Sequence, residues 1–472
     1  MHKWIKLTII FLTLSLSLSS ALIPYVIYKI ELPLGYDTPL YIYNSQKFET
    51  QGIEWLNYWD NSKTFDIGYF ILNHVILHIS GLNNLLLYKY LPIALILFIL
   101  ISYLVYSRHW RTRYSFIFSV FWLPLFYLSR EAQSNLLAIL IINFIIYYIY
   151  NLDKKESYFL IGFLLAGLFF IHLLVFGLVF LILLTYIFLT KKFIRKYLTR
   201  TIPTLLIFIL TRVIFIIRDL LNLSKRIVSG VNIPSRSFEY EWFVYLFGLA
   251  FIFFFFLSFI FYVKNSRNKD FVLFFSITMV LLSLASIFNL YYVPYYRYLF
   301  LIPAPLFLPY LFNLRFNRNY KVLLTFFLLC LLIINLGIYN SRKTFYTDED
   351  AVKSLFDLKL NHQNKIFLVF PVKTGVGNWI LATQGDFVFY GEAIYLCIDD
   401  KPPYDKNSYI AYRNSYDSLK MNYVLDEISD YNIYIIDNFY KDDSISDKYL
   451  ETTNYTGLHT LKLNDYCLSL KA

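Results

Sequence analysis

The sequence predicts a multi-pass α-helical membrane protein, with about 11 transmembrane helices, that ends in a small α/β domain outside the membrane. Three observations carry this. Only 16% of the 472 residues are charged and 58% are apolar, whereas soluble domains carry about 25% charge. Apolar runs long enough to cross a hydrocarbon layer of about 30 Å recur through residues 1 to 340. Charge then divides the chain: residues 1–340 hold 29 basic and 13 acidic side chains, and residues 341–472 hold 14 and 19. The net charge of +11 is therefore loop charge of the membrane part and no sign of nucleic-acid binding.

Residues 7 to 29 follow Lys3 and Lys6 and stay apolar for longer than the core of a cleaved signal peptide, so they form a first span that is retained. Further runs lie near 85–106, 201–217, 241–263, 271–290 and 322–340, with shorter ones near 114–128, 134–150 and 298–313. The stretch Tyr158–Thr190 has 33 residues, about 50 Å of helix, which is long for one crossing and short for two. Loop charge decides. With two crossings, the segments 191–200, 263–270 and 315–321 share one side and bring 11 basic residues to it. That side is cytoplasmic by the positive-inside rule, together with the N-terminus, 108–113 and 151–157. The C-terminal tail is then extracytoplasmic, and the localisation is the plasma membrane.

Residues 66–80 are too short and too polar for a further span and are expected to form an amphipathic helix on the outer surface. The first outer loop, from Glu31 to Tyr88, carries six acids and two lysines, and a loop of that length is more often functional than a mere connector. Beyond about residue 341, β-like runs at 365–370, near 385 and at 432–439 alternate with polar stretches, enough for one α/β domain. The predicted domains are thus 1–340, with the outer loop 31–84, and 341–472. Three cysteines make no disulfide framework. Cys397 and Cys467 both fall in the tail and can pair only if the fold brings them together.

Ionisable groups at span edges are costly and therefore candidates for function. Asp37, between Gly35 and Pro39 just past the first span, can accept a proton from a hydroxyl, hold a divalent cation, or simply cap a helix. Glu131 follows Arg130 in YLSREAQSNLL between two spans; the alternative for both is an interfacial charge pair. Arg297, in an aromatic cluster beside Pro294, is a cationic fork suited to a phosphate ester or, equally, a membrane anchor. Arg212 lies deeper, seven residues before Asp219, where a structural ion pair is favoured. His172 sits midway along the 33-residue stretch as a substrate contact or an interfacial histidine. His74 and His78, four apart, lack a third metal ligand.

An acid soon after the first span (Asp37), a second in the outer turn within SREAQ (Glu131), and Arg297-Tyr298 followed by Pro303 occur in an order that resembles the GT-C superfamily of integral-membrane glycosyltransferases. These enzymes use polyprenyl-phosphate-linked sugars, and the resemblance runs over roughly residues 1–313. It implies that Asp37 is a catalytic base or anchor, that Glu131 assists acceptor or metal binding, and that Arg297, with Arg130 and Arg212, holds the lipid phosphate. His172, Tyr298 and Asp66 become donor or acceptor contacts, and a divalent cation (Mg or Mn), if one is used, would sit on Asp37 and Glu131. The implied partners are a polyprenyl-phosphate sugar, a glycolipid, glycan or protein acceptor, and the bilayer. The Trp-Trp-Asp-Tyr-Gly and Asp-x-Asp signatures of oligosaccharyltransferase catalytic subunits are absent, which argues against en bloc transfer to Asn. Where some members carry His-Pro-Pro, this chain has Phe65, Asp66, Ile67 and Gly68. Two other classes compete: a flippase for a lipid-linked glycan, for which the inverted repeats are not evident, and a non-catalytic surface assembly protein.

Overall fold

A segment surrounded by hydrocarbon satisfies its backbone N–H and C=O groups by winding into a helix, and the apolar runs described in this chain do so. The computed structural model describes residues 3–26, 29–35, 38–51, 67–109, 128, 133–151, 155–190, 197–210, 249–265, 270–287, 298–307, 326, 330, 349–358, 365–369, 379–380, 382–384, 387–390, 432–436, 447–454, 458–462 and 465. Among the described residues the first seven helices are α1 (Lys3–Val26), α2 (Thr38–Gln51), α3 (Ile67–Ser80), α4 (Asn84–His109), α5 (Gln133–Tyr150), α6 (Lys155–Ile171) and α7 (Leu173–Thr190). A π-helical turn (Tyr197–Thr201) leads into α8 (Ile202–Leu210), followed by α9 (Leu249–Asn265), α10 (Phe271–Ile287), a 3-10 turn (Ala304–Leu306) and α11 (Glu349–Asp357). The strands are β1 (Lys365–Val369), β2 (Phe387–Tyr390), β3 (Asn432–Ile436), β4 (Leu450–Thr452) and β5 (Leu458–Leu461).

The chain divides into two compact units. The first comprises Met1–Glu31, Phe65–Tyr69 and Lys89–Lys343; the second comprises Leu32–Thr64, Phe70–Tyr88 and Thr344–Ala472. The outer loop thus belongs with the tail, a grouping that a division at residue 340 does not anticipate.

Asn84–Val105 and Gln133–Tyr150 are each long and apolar enough to cross a bilayer, and Glu156–Ile171, Leu173–Leu189 and Phe271–Ala285 are shorter apolar helices. The 33-residue stretch bends at His172, the one residue between α6 and α7. The hydroxyl of Thr201 donates to the carbonyl of Tyr158 at 3.0 Å. A straight rod from Tyr158 to Thr190 would be about 48 Å long, yet the chain from Thr190 to Thr201 can reach at most about 40 Å. The helices must therefore fold back. The rings of Phe169 and Phe176 accordingly meet edge-on at 5.0 Å, where a straight helix would hold these positions about 10 Å apart. Gly162 completes the arrangement, because a Cβ there would lie 2.7 Å from the carbonyl oxygen of Thr201.

One end of this unit is tied by Asp270. Its two carboxylate oxygens accept hydrogen bonds of 2.7 Å from the hydroxyls of Tyr150, ending α5, and Tyr262, near the end of α9. The Leu273 N–H donates to the same carboxylate at 3.2 Å, capping α10. Within the bundle, Asn143 of α5 donates to the Ser102 hydroxyl of α4 at 2.9 Å, so this buried amide is matched across the helices. The apolar run expected to form a span at 298–313 does not go on as one from its start: Tyr298 and Leu299 are helical, but Phe300–Phe307 is a buried chain of turns closing in the Ala304–Leu306 3-10 helix. Pro303 and Pro305 remove two donors from any α-helical ladder there, and Phe307 instead packs its ring 4.8 Å from that of Tyr262.

In the second unit the strands form one sheet in the order β2-β1-β3-β5-β4. β2, β1 and β3 run parallel, whereas β5 is antiparallel to both β3 and β4. Phe367 and Tyr434, side by side on β1 and β3, stack at 5.5 Å, a cross-strand pair of the kind that sets register. Lys462 meets Glu451 at 2.9 Å; that hydrogen bond raises the lysine above its usual pKa, but so exposed a pair adds little stability.

Replacing Asp270 by Ala should leave two tyrosine hydroxyls and a helix N-terminus without their acceptor and lower stability by about 3 kcal/mol. Thermal unfolding in detergent measures this, with Asp270→Asn, which keeps one acceptor oxygen, falling between the variant and wild type.

Candidate functional site

At the end of the first unit opposite Asp270, three helix ends converge. Gly68, in the first turn of α3, lies so close to the end of α6 that a Cβ would come within 2.8 Å of the Phe170 Cβ and 2.9 Å of its carbonyl carbon. Only glycine permits that approach without displacement. The next residue, Tyr69, is fully buried and donates from its hydroxyl to Oε1 of Gln133, the first residue of α5, at 2.8 Å. Gln133 and Ser134 are themselves buried, so the α5 N-terminus is packed rather than solvated. His172 completes the group two residues beyond Phe170. It is 9% exposed, and the bend it occupies keeps helical hydrogen bonding on both sides: its N–H donates to Leu168 at 2.8 Å, and its carbonyl accepts from Phe176 at 2.9 Å.

This convergence gathers the chain neighbours of three expected site residues. Asp66 precedes Gly68 by two positions, Glu131 precedes Gln133 by two, and His172 follows Phe170 by two. His172 and Tyr298 are described and both are buried. Asp37, Asp66, Arg130, Glu131, Arg212 and Arg297 lie outside the described residues, as do Cys397 and Cys467. Tyr298, directly after Arg297, is 3% exposed and accepts at its carbonyl from the Leu301 N–H at 3.1 Å.

The chain on either side of Asp37 is held firmly. As it leaves α1, Lys89 donates to the carbonyls of Ile30 at 3.2 Å and Glu31 at 2.9 Å, with its ammonium 4.6 Å from the Tyr25 ring centre. In the second unit, Gly35 takes a φ of 115°, and the hydroxyl of the fully buried Thr38 donates to the carbonyl of Leu34. The left-handed region at Gly35 disfavours any side chain, so the turn into α2 is built for this sequence. Among the described residues, no three His, Cys, Asp or Glu side chains gather as a cation site. Tyr69, Gln133 and Lys89 are not singled out by the sequence, and Gly68 enters there only as the end of the segment Phe65–Gly68. Only Gln133 had a signal, as the last residue of SREAQ.

No protein-family model and no curated protein matches the chain. Solved structures do share its fold. ArnT from Cupriavidus metallidurans, in the apo state, is similar over 92% of this chain and 93% of its own, with a TM-score of 0.54 at 9% identity. The archaeal oligosaccharyltransferase AglB from Archaeoglobus fulgidus, in complex with an inhibitory peptide and a dolichol-phosphate, is similar over 92% of this chain and 70% of its own, with a TM-score of 0.53 at 10% identity. The chain thus shares its fold with ArnT and with AglB.

Gly68→Val should push α3 off α6 and cost about 1–3 kcal/mol. Gly177→Val on α7, where a Cβ would meet nothing within 4 Å, should stay within about 0.5 kcal/mol of wild type. Denaturation midpoints of the two variants in one detergent compare them directly.

Proposed function

We propose that the chain is a membrane glycosyltransferase that moves a sugar from a polyprenyl-phosphate donor to an acceptor hydroxyl at the outer membrane face, with inversion. The observation that carries the proposal is the GT-C fold over 92% of the chain, joined to the order of Asp37, Glu131 and Arg297 along it. The dolichol-phosphate in the AglB complex supports a lipid-linked donor.

In the proposed reaction the Asp37 carboxylate takes the proton of the acceptor hydroxyl as its oxygen forms a bond to the anomeric carbon. The bond from that carbon to the phosphate oxygen breaks, and the electron pair leaves on the lipid phosphate. Arg297 meets the developing charge, assisted by Arg130 and Arg212. A phosphate leaving group stabilised in this way needs no protonation. Glu131 orients the acceptor, and His172, Tyr298 and Asp66 contact donor or acceptor. The convergence of Gly68 with Phe170 and of Tyr69 with Gln133 supports this assignment, because it draws the chain next to Asp66, Glu131 and His172 to one end of the bundle. A lipid-linked donor also accounts for a site at a membrane face, where a nucleotide sugar is not at hand. The tail, 341–472, is proposed as the extracytoplasmic domain.

Purified protein in lipid, supplied with radiolabelled polyprenyl-phosphate sugars and extracted membrane glycolipids, should transfer label to an acceptor. Asp37→Asn should lower transfer by at least about 100-fold with unchanged expression, and Arg297→Ala on the order of 100-fold. Full activity in Asp37→Asn would exclude the base assignment; no transfer by wild type from any donor would exclude the reaction.

A further inference from the structure

Helices α2 and α3 carry the same pattern on the faces they turn to each other. Residues 41–48 read YIYNSQKF and residues 70–77 read FILNHVIL, each with a large apolar side chain at the first and eighth positions and a polar pair at the fourth and fifth. These four positions share one helix face. Tyr41 tilts against Phe70 at 6.1 Å and stacks on Tyr88 at 6.2 Å, while Phe48 meets the His74 ring edge-on at 5.3 Å. The polar residues stand between those aromatic contacts, and Asn44, Ser45 and Asn73 are 2%, 1% and 0% exposed. Asn73 donates to the Tyr88 hydroxyl at 2.8 Å. Its Oδ1, the Oδ1 of Asn44, the Oγ of Ser45 and the Nδ1 of His74 are buried without a hydrogen-bond partner among the described residues. Four such atoms between two helices are costly to leave bare, and enclosed water is the usual partner of polar groups so placed. No Lys, Arg, Asp or Glu occurs from Gly68 to Tyr88, and the Glu49 carboxylate of α2 is turned to Asn84, whose Nδ2 lies 3.3 Å away. Two amide oxygens, a hydroxyl and an imidazole nitrogen, with no carboxylate, suit a neutral hydrogen-bond donor better than a metal ion. On one side the seam reaches solvent, because the His74 ring packs edge-on at 4.3 Å against that of His78, which is exposed.

We propose that α2 and α3 enclose a short chain of ordered water, held by Asn44, Ser45, Asn73 and His74 and opening to solvent at His78, and that this chain is the route by which the proton taken up by Asp37 leaves. The route rests on the proposed function; the water does not. Asp37 stands one residue before α2 and seven before Asn44. After each transfer its carboxyl group gives the acceptor's proton to the water chain and is a carboxylate again. His74 takes a proton from the chain on Nδ1 and releases the one on Nε2 to solvent beside His78, so that its ring ends neutral. Only protons move in these steps.

X-ray radiolysis of the full-length wild-type protein in nanodiscs turns water into hydroxyl radicals where it stands. Phe48, 9% exposed, should then be oxidised about tenfold faster than Phe255, 6% exposed; equal rates overturn the water chain. Asn44→Leu and Ser45→Ala should each lower the unfolding midpoint by about 2–8 °C, since each takes a partner from the water. A midpoint unchanged or raised in both means a dry seam and overturns the chain as well. In the transfer assay, His74→Phe should lower kcat at least about fivefold at unchanged KM, and imidazole added to the medium should restore it. An undiminished kcat, or a loss that imidazole does not repair, overturns the proton route alone. Fast oxidation of Phe48 without any wild-type transfer overturns the catalytic reading and, with it, the route, and leaves the water chain standing.

Discussion

The bend at His172 is the constraint on which the membrane unit depends. Two short helices that reverse there bring the start of α6 back beside the π turn, where the Thr201 hydroxyl reaches Tyr158 at 3.0 Å. The bundle thereby gains two distinct ends. At one, the Asp270 carboxylate gathers the hydroxyls of Tyr150 and Tyr262. At the other, Gly68 lies against Phe170 and Tyr69 bonds to Gln133. A single continuous helix from Tyr158 to Thr190 would place its ends about 48 Å apart and pull Thr201 away from Tyr158.

The two ends differ in chemistry. At the Asp270 end, a charged acceptor meets neutral donors, an arrangement stronger than a neutral hydrogen bond and suited to holding helices together. At the opposite end the contacts are neutral and close: a glycine against backbone, a phenol on an amide. In the chain, Asp66, Arg130 and Glu131 stand two or three residues from these contacts.

Much of the helical framework was legible because an apolar run of about 20 residues has few other solutions. The bend at His172 was legible from loop charge, with no local signal of a turn. β1 and β3 follow from the branched and aromatic runs KIFLV and NIYII, whereas β4 and β5, LET and LHTL, are too short and mixed to announce themselves and exist through their pairing with each other and with β3. The break from helix at Phe300 is signalled only by Pro303 and Pro305, which the apolar character of the run outweighs. Gly68 was seen only as a departure from a motif; its importance lies in Phe170, about a hundred residues away, and close approach between distant segments leaves no local pattern.

The second unit joins Leu32–Thr64 and Phe70–Tyr88 to Thr344–Ala472, so its two parts leave the ribosome far apart in time. At elongation rates of about 5–20 residues per second the gap is roughly ten to fifty seconds. Throughout that interval the early part has emerged, while the chain that completes its unit has yet to be made. The nascent protein must therefore carry a half-built domain across the insertion of most of its membrane helices. A chain cut short before Thr344 would leave that half exposed for good, which makes this unit a natural checkpoint for quality-control proteases.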